Sequence, residues 1–314
     1  MVEGALTQLG TVDLGAAQAF AGKSLAPNTL RAYKSQCSLF GRWAVANGAA
    51  PMPASPYLVA AYLAHLAQAH GDQPPKAYAS IVMARSAIRW GHRVKRMPDP
   101  TSDPAVSETM DGIARELGTA PLRQAIPLSA DECRKVLASI EGDGLAAMRD
   151  RALIAVWYVG AMRASEMAAM RVADLTWRPD GALYQLRRSK TDQTGRGRTV
   201  AIAAGPATHH LRAWVDRLAL YGCTGPVFIA LDGLGLGMGA IAVSEVVARR
   251  CEAAGVVGRR TGHSLRSGHV TEAAQRGVPA LQIAGQTGHK SLDMVLRYTR
   301  PVDALRDSSG RGLL

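Results

Sequence analysis

Aromatic side chains are scarce: they make up 5% of the 314 residues, and only three are Phe. The core must therefore be packed mainly from Ala, Leu, Val and Ile. Cysteine is nearly as sparse. Cys37, Cys133, Cys223 and Cys251 stand far apart with no CxxC pair, which excludes a disulfide framework and a zinc site and predicts reduced thiols. No apolar run is long enough to span a bilayer. The first 22 residues hold no Lys or Arg, so the basic start of a signal peptide is missing. These absences predict a soluble, cytoplasmic protein with no membrane partner.

Negative charge is also in short supply. Against 37 Lys and Arg stand 25 Asp and Glu, giving a formal charge of +12 and a pI near 10.0. Such an excess favours a polyanionic partner, nucleic acid ahead of an acidic membrane surface. Divided after residue 118, the chain carries +3 on its first part and +9 on its second, as expected if both touch one long polyanion. At 314 residues the chain exceeds a usual single domain, so two are expected.

Residues 1–22, rich in Gly, Ala and Gln, read as a flexible N-terminal arm. Helical periodicity then sharpens through Leu30, Tyr33, Cys37, Phe40 and Ala44, with Asn28 placed as an N-cap and Gly48 near the stop. Pro56 opens a second helix and Pro75 a third that runs to about Trp90. A fourth covers about Asp103–Leu117 and stops at Gly118. No strand pattern interrupts them, so residues 23–118 are predicted to form a small helical bundle. Two prolines make residues 119–127 an extended linker.

A second domain, residues 128–314, opens with Ser129 and Glu132 in a capping-box pattern. The apolar segment Arg149–Tyr158 predicts a helix running to Gly160, and another begins near Ala164. Residues 182–189 and 198–202 flank the polar stretch Lys190–Gly197, which predicts a hairpin with Lys190 near its tip. Helical patterns return at 205–221 and 241–254 and continue from Ser264. The glycine run Gly233–Gly239 lacks the Lys-Ser/Thr of a phosphate-binding loop, and His209-His210 have no further ligands at metal spacing.

Four segments of this domain carry candidate chemistry. Arg163-Ala-Ser-Glu166 follows the helix-breaking Gly160, so its arginine and a helix N-terminus can face one anion. His263-Ser-Leu-Arg266 sets two side chains at i and i+3 on one side of a helix, with Gly262 and Gly268 leaving room for a backbone to approach. His269, at the same spacing, reads as structural. Gly288-His289 precedes Ser291–Tyr298, a segment whose Leu292, Val295 and Leu296 are expected to point inward. Each motif alone is weak.

Together, and in this order, the segments closely resemble the tyrosine recombinase (phage integrase) family. That family is marked by an R-x-S-E box, a lysine on a β-hairpin, an H-x-L-R box, and a G-H box ahead of a tyrosine. Here these read as Arg163–Glu166, Lys190, His263–Arg266, Gly288-His289 and Tyr298. Gly160 and Ala161 depart slightly from a family pattern that often has glycine two places before the first arginine. Within the family the chain looks most like the Cre-type recombinases, through Arg123-Gln124-Ala125, Gly277-Val278-Pro279 and the tail ending Arg311–Leu314. His289 departs there, because Cre-like proteins can carry tryptophan at that place.

The resemblance implies a mainly α fold with a small antiparallel β-sheet. A core-binding bundle and a catalytic tyrosine recombinase domain would form a clamp around double-stranded DNA bearing an inverted-repeat site. It implies a homotetramer, strand exchange through a Holliday junction, and a 3′-phosphotyrosyl intermediate on Tyr298 that needs neither metal nor ATP. Arg163 and Arg266 would hold the non-bridging oxygens, with His289 adding a donor. His263 would handle the nucleophile's proton, Lys190 would protonate the leaving 5′ oxygen, and Glu166 would orient the site. In a bacterium or phage-infected cell such a protein would sit with the nucleoid. DNA-backbone contacts are expected from Lys76, Arg85, Arg89, Arg93, Lys95 and Arg96. Two alternatives stay open: DNA relaxation of the type IB topoisomerase kind, and a non-catalytic architectural DNA-binding protein.

Overall fold

The computed structural model describes residues 25–120, 126–187, 197–232, 235–289, 291–292 and 295–296. Backbone contacts divide the chain into two units, residues 1–124 and 125–314.

The first unit holds α1 (Pro27–Ala46), α2 (Pro56–Ala67), α3 (Tyr78–Val94) and α4 (Pro104–Leu117). Local chemistry sets most of their ends. Ser55 accepts the Leu58 amide at 3.2 Å and Asp103 accepts that of Ala105 at 2.9 Å, each covering an amide that the first turn leaves without a helical partner. Two boundaries differ from expectation. Asn28 lies inside α1, after Pro27, and accepts instead from Arg31. Helix α3 starts at Tyr78 rather than Pro75, because Pro74 and Pro75 hold the chain extended. The bundle closes on Phe40, Val59, Leu63, Ile81, Ile88 and Val106, all buried. Phe40 and Trp43 each place a ring 5.1 Å from that of Tyr62, so much of the sparse aromatic content serves this small core.

In the second unit, α5 (Ala130–Ala138) begins on the predicted capping box, with both reciprocal bonds formed between Ser129 and Glu132. Helix α6 (Leu145–Gly160) is buried on nearly every side. It is followed by the short α7 (Ala164–Ala168) and a three-stranded antiparallel sheet of β1 (Leu175–Arg178), β2 (Gly181–Leu186) and β3 (Arg198–Ala203), in that order. The hairpin is β2–β3, paired from Gly181↔Ala203 to Leu186↔Arg198. Strand β1 was not expected; at four residues it is too short for its alternation to stand out. Helices α8 (Pro206–Leu220), α9 (Ala240–Ala253), α10 (Gly262–Gln275) and α11 (Ala280–Thr287) complete the described elements.

Helix α6 lies at the centre of this unit. Its Leu153, Ile154 and Trp157 pack in one core with Trp214, Phe228 and Leu265. The helical pattern from Ser264 is broken at Gly277, which takes φ +76, and Pro279 then starts the next helix. Past α11, Val295 is fully buried, whereas Leu292 and Leu296 are 45% and 37% exposed; only one of the three expected inward residues points in. The four cysteines carry no disulfide, and no described helix is long and apolar enough to cross a membrane.

Candidate functional site

The site is built where the end of α6, the start of α10 and the end of α11 meet. Helix α6 stops because Ala161 takes the left-handed conformation, φ 48° and ψ 34°. A residue with a Cβ is strained there, which explains why glycine suits this turn. The turn aims the Ala161 carbonyl at the guanidinium of Arg266, whose Nη1 donates to it at 2.5 Å. Two residues on, Arg163 is the N-cap of α7. Its backbone N–H donates to Glu166 Oε2 at 3.0 Å and its Nη1 to Oε1 at 2.7 Å. Arg163 Nη2 reaches the Gly288 carbonyl at 3.1 Å, across 125 residues of sequence.

Glu166 is only 1% exposed. Burial would raise its pKa, but the amide and guanidinium of Arg163 and the charge of Arg198 together hold it below the usual glutamate value. Its carboxylate is thus a fixed negative strut between two arginines.

Arg266 is 4% exposed on α10. Besides Ala161 it donates from Nη1 to the Thr287 carbonyl at 2.7 Å, and its Nη2 lies 2.9 Å from His289 Nε2. A guanidinium has only donors, so His289 Nε2 acts as the acceptor. The Thr287 hydroxyl donates to the Ile283 carbonyl at 2.7 Å, and His289 Nδ1 lies 2.7 Å from that hydroxyl's Oγ1; Nδ1 therefore carries the proton. Burial, then the charges of Arg266 and Arg163, push the His289 pKa down to about 4, so near neutrality the ring is uncharged. Toward Arg266, His289 Nε2 is thus an acceptor, and it would donate to a phosphate only after a proton moves.

His263 opens α10 with an exposed side chain; the protein packed around it and the Arg266 charge lower its basicity. The glycines beside it serve folding. A Cβ on Gly262 would fall 2.0 Å from the Trp157 ring, and one on Gly268 would fall 1.8 Å from the Leu128 carbonyl oxygen. The backbone for which room was left is the chain's own, held by a 2.9 Å bond from the Leu128 amide to the Ser264 carbonyl. His269 packs edge-on to Tyr158, outside the cluster.

Of the predicted site residues, Arg163, Glu166, Arg266 and His289 are brought into one hydrogen-bonded cluster, with His263 on the helix that supplies Arg266. Lys190 and Tyr298 lie outside the described residues. In the first unit, Lys76, Arg93, Lys95 and Arg96 are exposed. Arg85 is half-buried and donates to the Thr101 carbonyl at 3.0 Å, and Arg89 pairs with Asp99 at 3.0 Å. Those two cations are engaged within the fold. Among the described residues no group of three His, Cys, Asp or Glu is placed to hold a metal.

Arg198 was missed. At the first position of β3 it donates to Glu166 Oε2 at 3.0 Å and to the Gln286 carbonyl at 2.6 Å. In sequence it is one of three basic residues in the Gly-rich stretch Lys190–Arg198, and nothing local marks it as inward-facing.

Comparison with known proteins is decisive here. Residues 127–304 match the model of the phage integrase family. The chain belongs to this family. An integrase/recombinase XerD homologue of Selenomonas ruminantium is 31% identical over 297 residues, covering 91% of this chain and 85% of the relative. The Cre recombinase of Escherichia phage P1 is 26% identical over 304 residues, covering 90% and 86%. Among solved structures, the XerH site-specific recombinase in a post-cleavage complex with its palindromic difH substrate superposes with a TM-score of 0.63 at 20% identity, over 82% of this chain and 72% of that one. This recombinase therefore shares the fold and the DNA-cleaving and rejoining activity of the tyrosine recombinases, and its arginine-rich cluster lies inside the matched region.

Proposed function

We propose that this recombinase acts at a specific DNA site through the residues of the cluster together with Tyr298 and Lys190. The observation that carries the reading is that Arg163 reaches the Gly288-His289 turn, 125 residues on, while Arg266 joins that turn through His289 and reaches back 105 residues to Ala161. Two guanidiniums and an imidazole beside a helix start suit a pentacoordinate phosphate, whose developing charge is best met by preorganised donors. The phenol oxygen of Tyr298 attacks phosphorus, and His263 takes its proton. The bond to the 5′ oxygen breaks, and that oxygen receives a proton from Lys190. One phosphoester bond replaces another, so the 3′-phosphotyrosyl link conserves the energy needed for rejoining.

In this reading both units contact the duplex, the first through phosphate contacts from Lys76, Arg93, Lys95 and Arg96. Protomers pair on inverted repeats, and four of them exchange strands through a Holliday junction. An apolar groove of about 520 Å³, lined by Cys133, Leu137, Tyr158, Val159 and Val278, supports the assembly as a seat for residues 301–314 of a neighbouring protomer. A complex that never exceeds a dimer on two-site DNA would remove the tetramer.

The deciding experiment is covalent trapping on nicked suicide substrates built from sequenced, protein-bound DNA. Wild type is expected to form an adduct that Tyr298→Phe does not. Binding without an adduct in the wild type would instead support an architectural protein. Relaxation of supercoils independent of the recognition sequence would support the topoisomerase reading.

A further inference from the structure

Arg198 has no role in the phosphate chemistry outlined above, yet it is built into the centre of the cluster. Its guanidinium joins three segments: β3, which carries it; Glu166 on α7; and the Gln286 carbonyl at the end of α11. Gln286 returns the link, donating from Nε2 to the Val159 carbonyl at 3.1 Å and the Ala201 carbonyl at 2.8 Å. Gly288 lies against the same guanidinium. It takes φ +68, and a Cβ there would fall 2.8 Å from Arg198 Nε. The glycine before His289 is thus required both by its backbone and by the arginine packed on it. Arg198 also pairs with Leu186 at the base of the hairpin whose connecting residues include Lys190.

Glu166 faces two cations, and they are not equivalent. Arg163 engages it with one Nη and the Gly288 carbonyl with the other. Arg198 approaches the opposite carboxylate oxygen, Oε2, which also accepts the Arg163 amide. Without Arg198, that oxygen would keep only the amide, and among the described residues the hairpin would be tied to Glu166 only through its backbone, where the Tyr184 hydroxyl donates to the Glu166 carbonyl at 3.4 Å.

We propose that Arg198 is a positioning residue for strand cleavage: it clamps Glu166 and the α11 end so that Arg163 and the Gly288-His289 turn are held for the phosphate, and it fixes the Leu186–Arg198 end of the hairpin. The inference rests on the recombinase reading of the cluster. Arg198 acts through Glu166 and touches no DNA.

The test uses the full chain and a suicide substrate. Arg198→Met is expected to bind DNA within about twofold of wild type, because every phosphate-facing cation is kept. Its single-turnover cleavage is expected to fall by about 10²-fold, the scale of a misplacement near 1 Å. Arg198→Lys keeps the charge but loses the fork that reaches two acceptors, and should recover part of the rate. The loss should be non-additive with Glu166→Gln: in that background Arg198→Met should cost less than threefold, since both changes break one strut. The acidic limb of the rate–pH profile should move to higher pH in Arg198→Met, because Glu166 has lost a cation that favours its charged form. Cleavage by both variants within twofold of wild type, or fully additive losses with Glu166→Gln, overturns the proposal. If Arg198→Met does not fold, Arg198→Lys decides: a loss of fivefold or more with unchanged DNA binding supports the proposal, and a wild-type rate overturns it. A wild type that binds but forms no adduct would sink the recombinase reading itself, a result distinct from all of these.

Discussion

The two units differ in how deeply they bury arginine: Arg149, Arg260 and Arg266, all in the second, are the buried ones among the described residues. In the first, Arg93, Lys95 and Arg96 stand exposed at the end of a helix, while its core is closed by apolar side chains and a few stacked rings. In the second, arginines are structural members. Arg149 and Arg250 hold the buried Asp150, Arg163 and Arg198 hold Glu166, and Arg266 spans two backbone carbonyls. A surface cation acts through a screened field and tolerates displacement. A buried one is held by charge-assisted bonds and fixes geometry. One unit therefore keeps cations free to adapt to a long polyanion, while the other fixes its cations in place.

That contrast is broken most severely at Arg266. Arg266→Ala is expected to lower single-turnover cleavage by at least about 10³-fold. It should also destabilise the second unit by about 3 kcal/mol, because the Ala161 and Thr287 carbonyls lose their charged donor. Cleavage kinetics and denaturant titration read the two effects separately, and a variant of wild-type stability would show that the carbonyls find other partners.

Next in size is Gly268→Ala. The added Cβ would fall 1.8 Å from the Leu128 carbonyl oxygen, so α10 must move away from the chain entering the unit. A loss of about 3 kcal/mol is expected, with the first unit's unfolding unchanged. Equal destabilisation of both units would contradict the separation of their cores.

The opposite pattern is expected for the combined Arg93→Gln, Lys95→Gln and Arg96→Gln variant. Its melting temperature should stay within the error of wild type, while DNA affinity falls and the salt dependence flattens by about 0.9 for each phosphate left without its cation. An unchanged salt slope would remove these residues from the DNA face.

Acid should sharpen the comparison further, with the smallest effect. Burial lowers the basicity of His210, His263, His269 and His289 in the second unit and of His65 in the first. An unfolded imidazole takes its proton near 6.5, while folded His289 resists until about pH 4. Between those values the unfolded chain binds more protons, so the stabilisation is complete above pH 6.5 and fades as pH falls toward 4. The second unit should thus loosen before the first on acidification, and His289→Gln should narrow the gap; fluorescence of the buried Trp157 and Trp214 against that of Trp43 follows it. Simultaneous acid unfolding of both units would count against this account.

Much of this was legible because it is local. The Ser129–Glu132 capping box, the stop at Gly118 and the β2–β3 hairpin each depend on residues a few positions apart, whose chemistry works before distant partners arrive. The order and spacing of Arg163, His263, Arg266 and His289 were legible for a different reason: taken together they match the motif set of the family, although each motif alone is weak. Helix starts were read least well where competing signals crowd together, as at Asn28 after Pro27 and at Pro74-Pro75.

The amino-acid sequence alone determined the helical bundle, the mixed second domain, the basic character and the candidate residues that the fold gathers around Arg163 and Arg266. Those follow from periodicity, capping and side-chain chemistry, which act within a turn or a strand. Only the folded molecule decided that Arg198 braces Glu166, that Gly262 and Gly268 make room for Trp157 and Leu128, and that His289 accepts from Arg266 rather than donating. Each of those facts is a meeting between groups from 20 to more than 130 residues apart, and a linear pattern carries no record of which distant carbonyl a guanidinium will find.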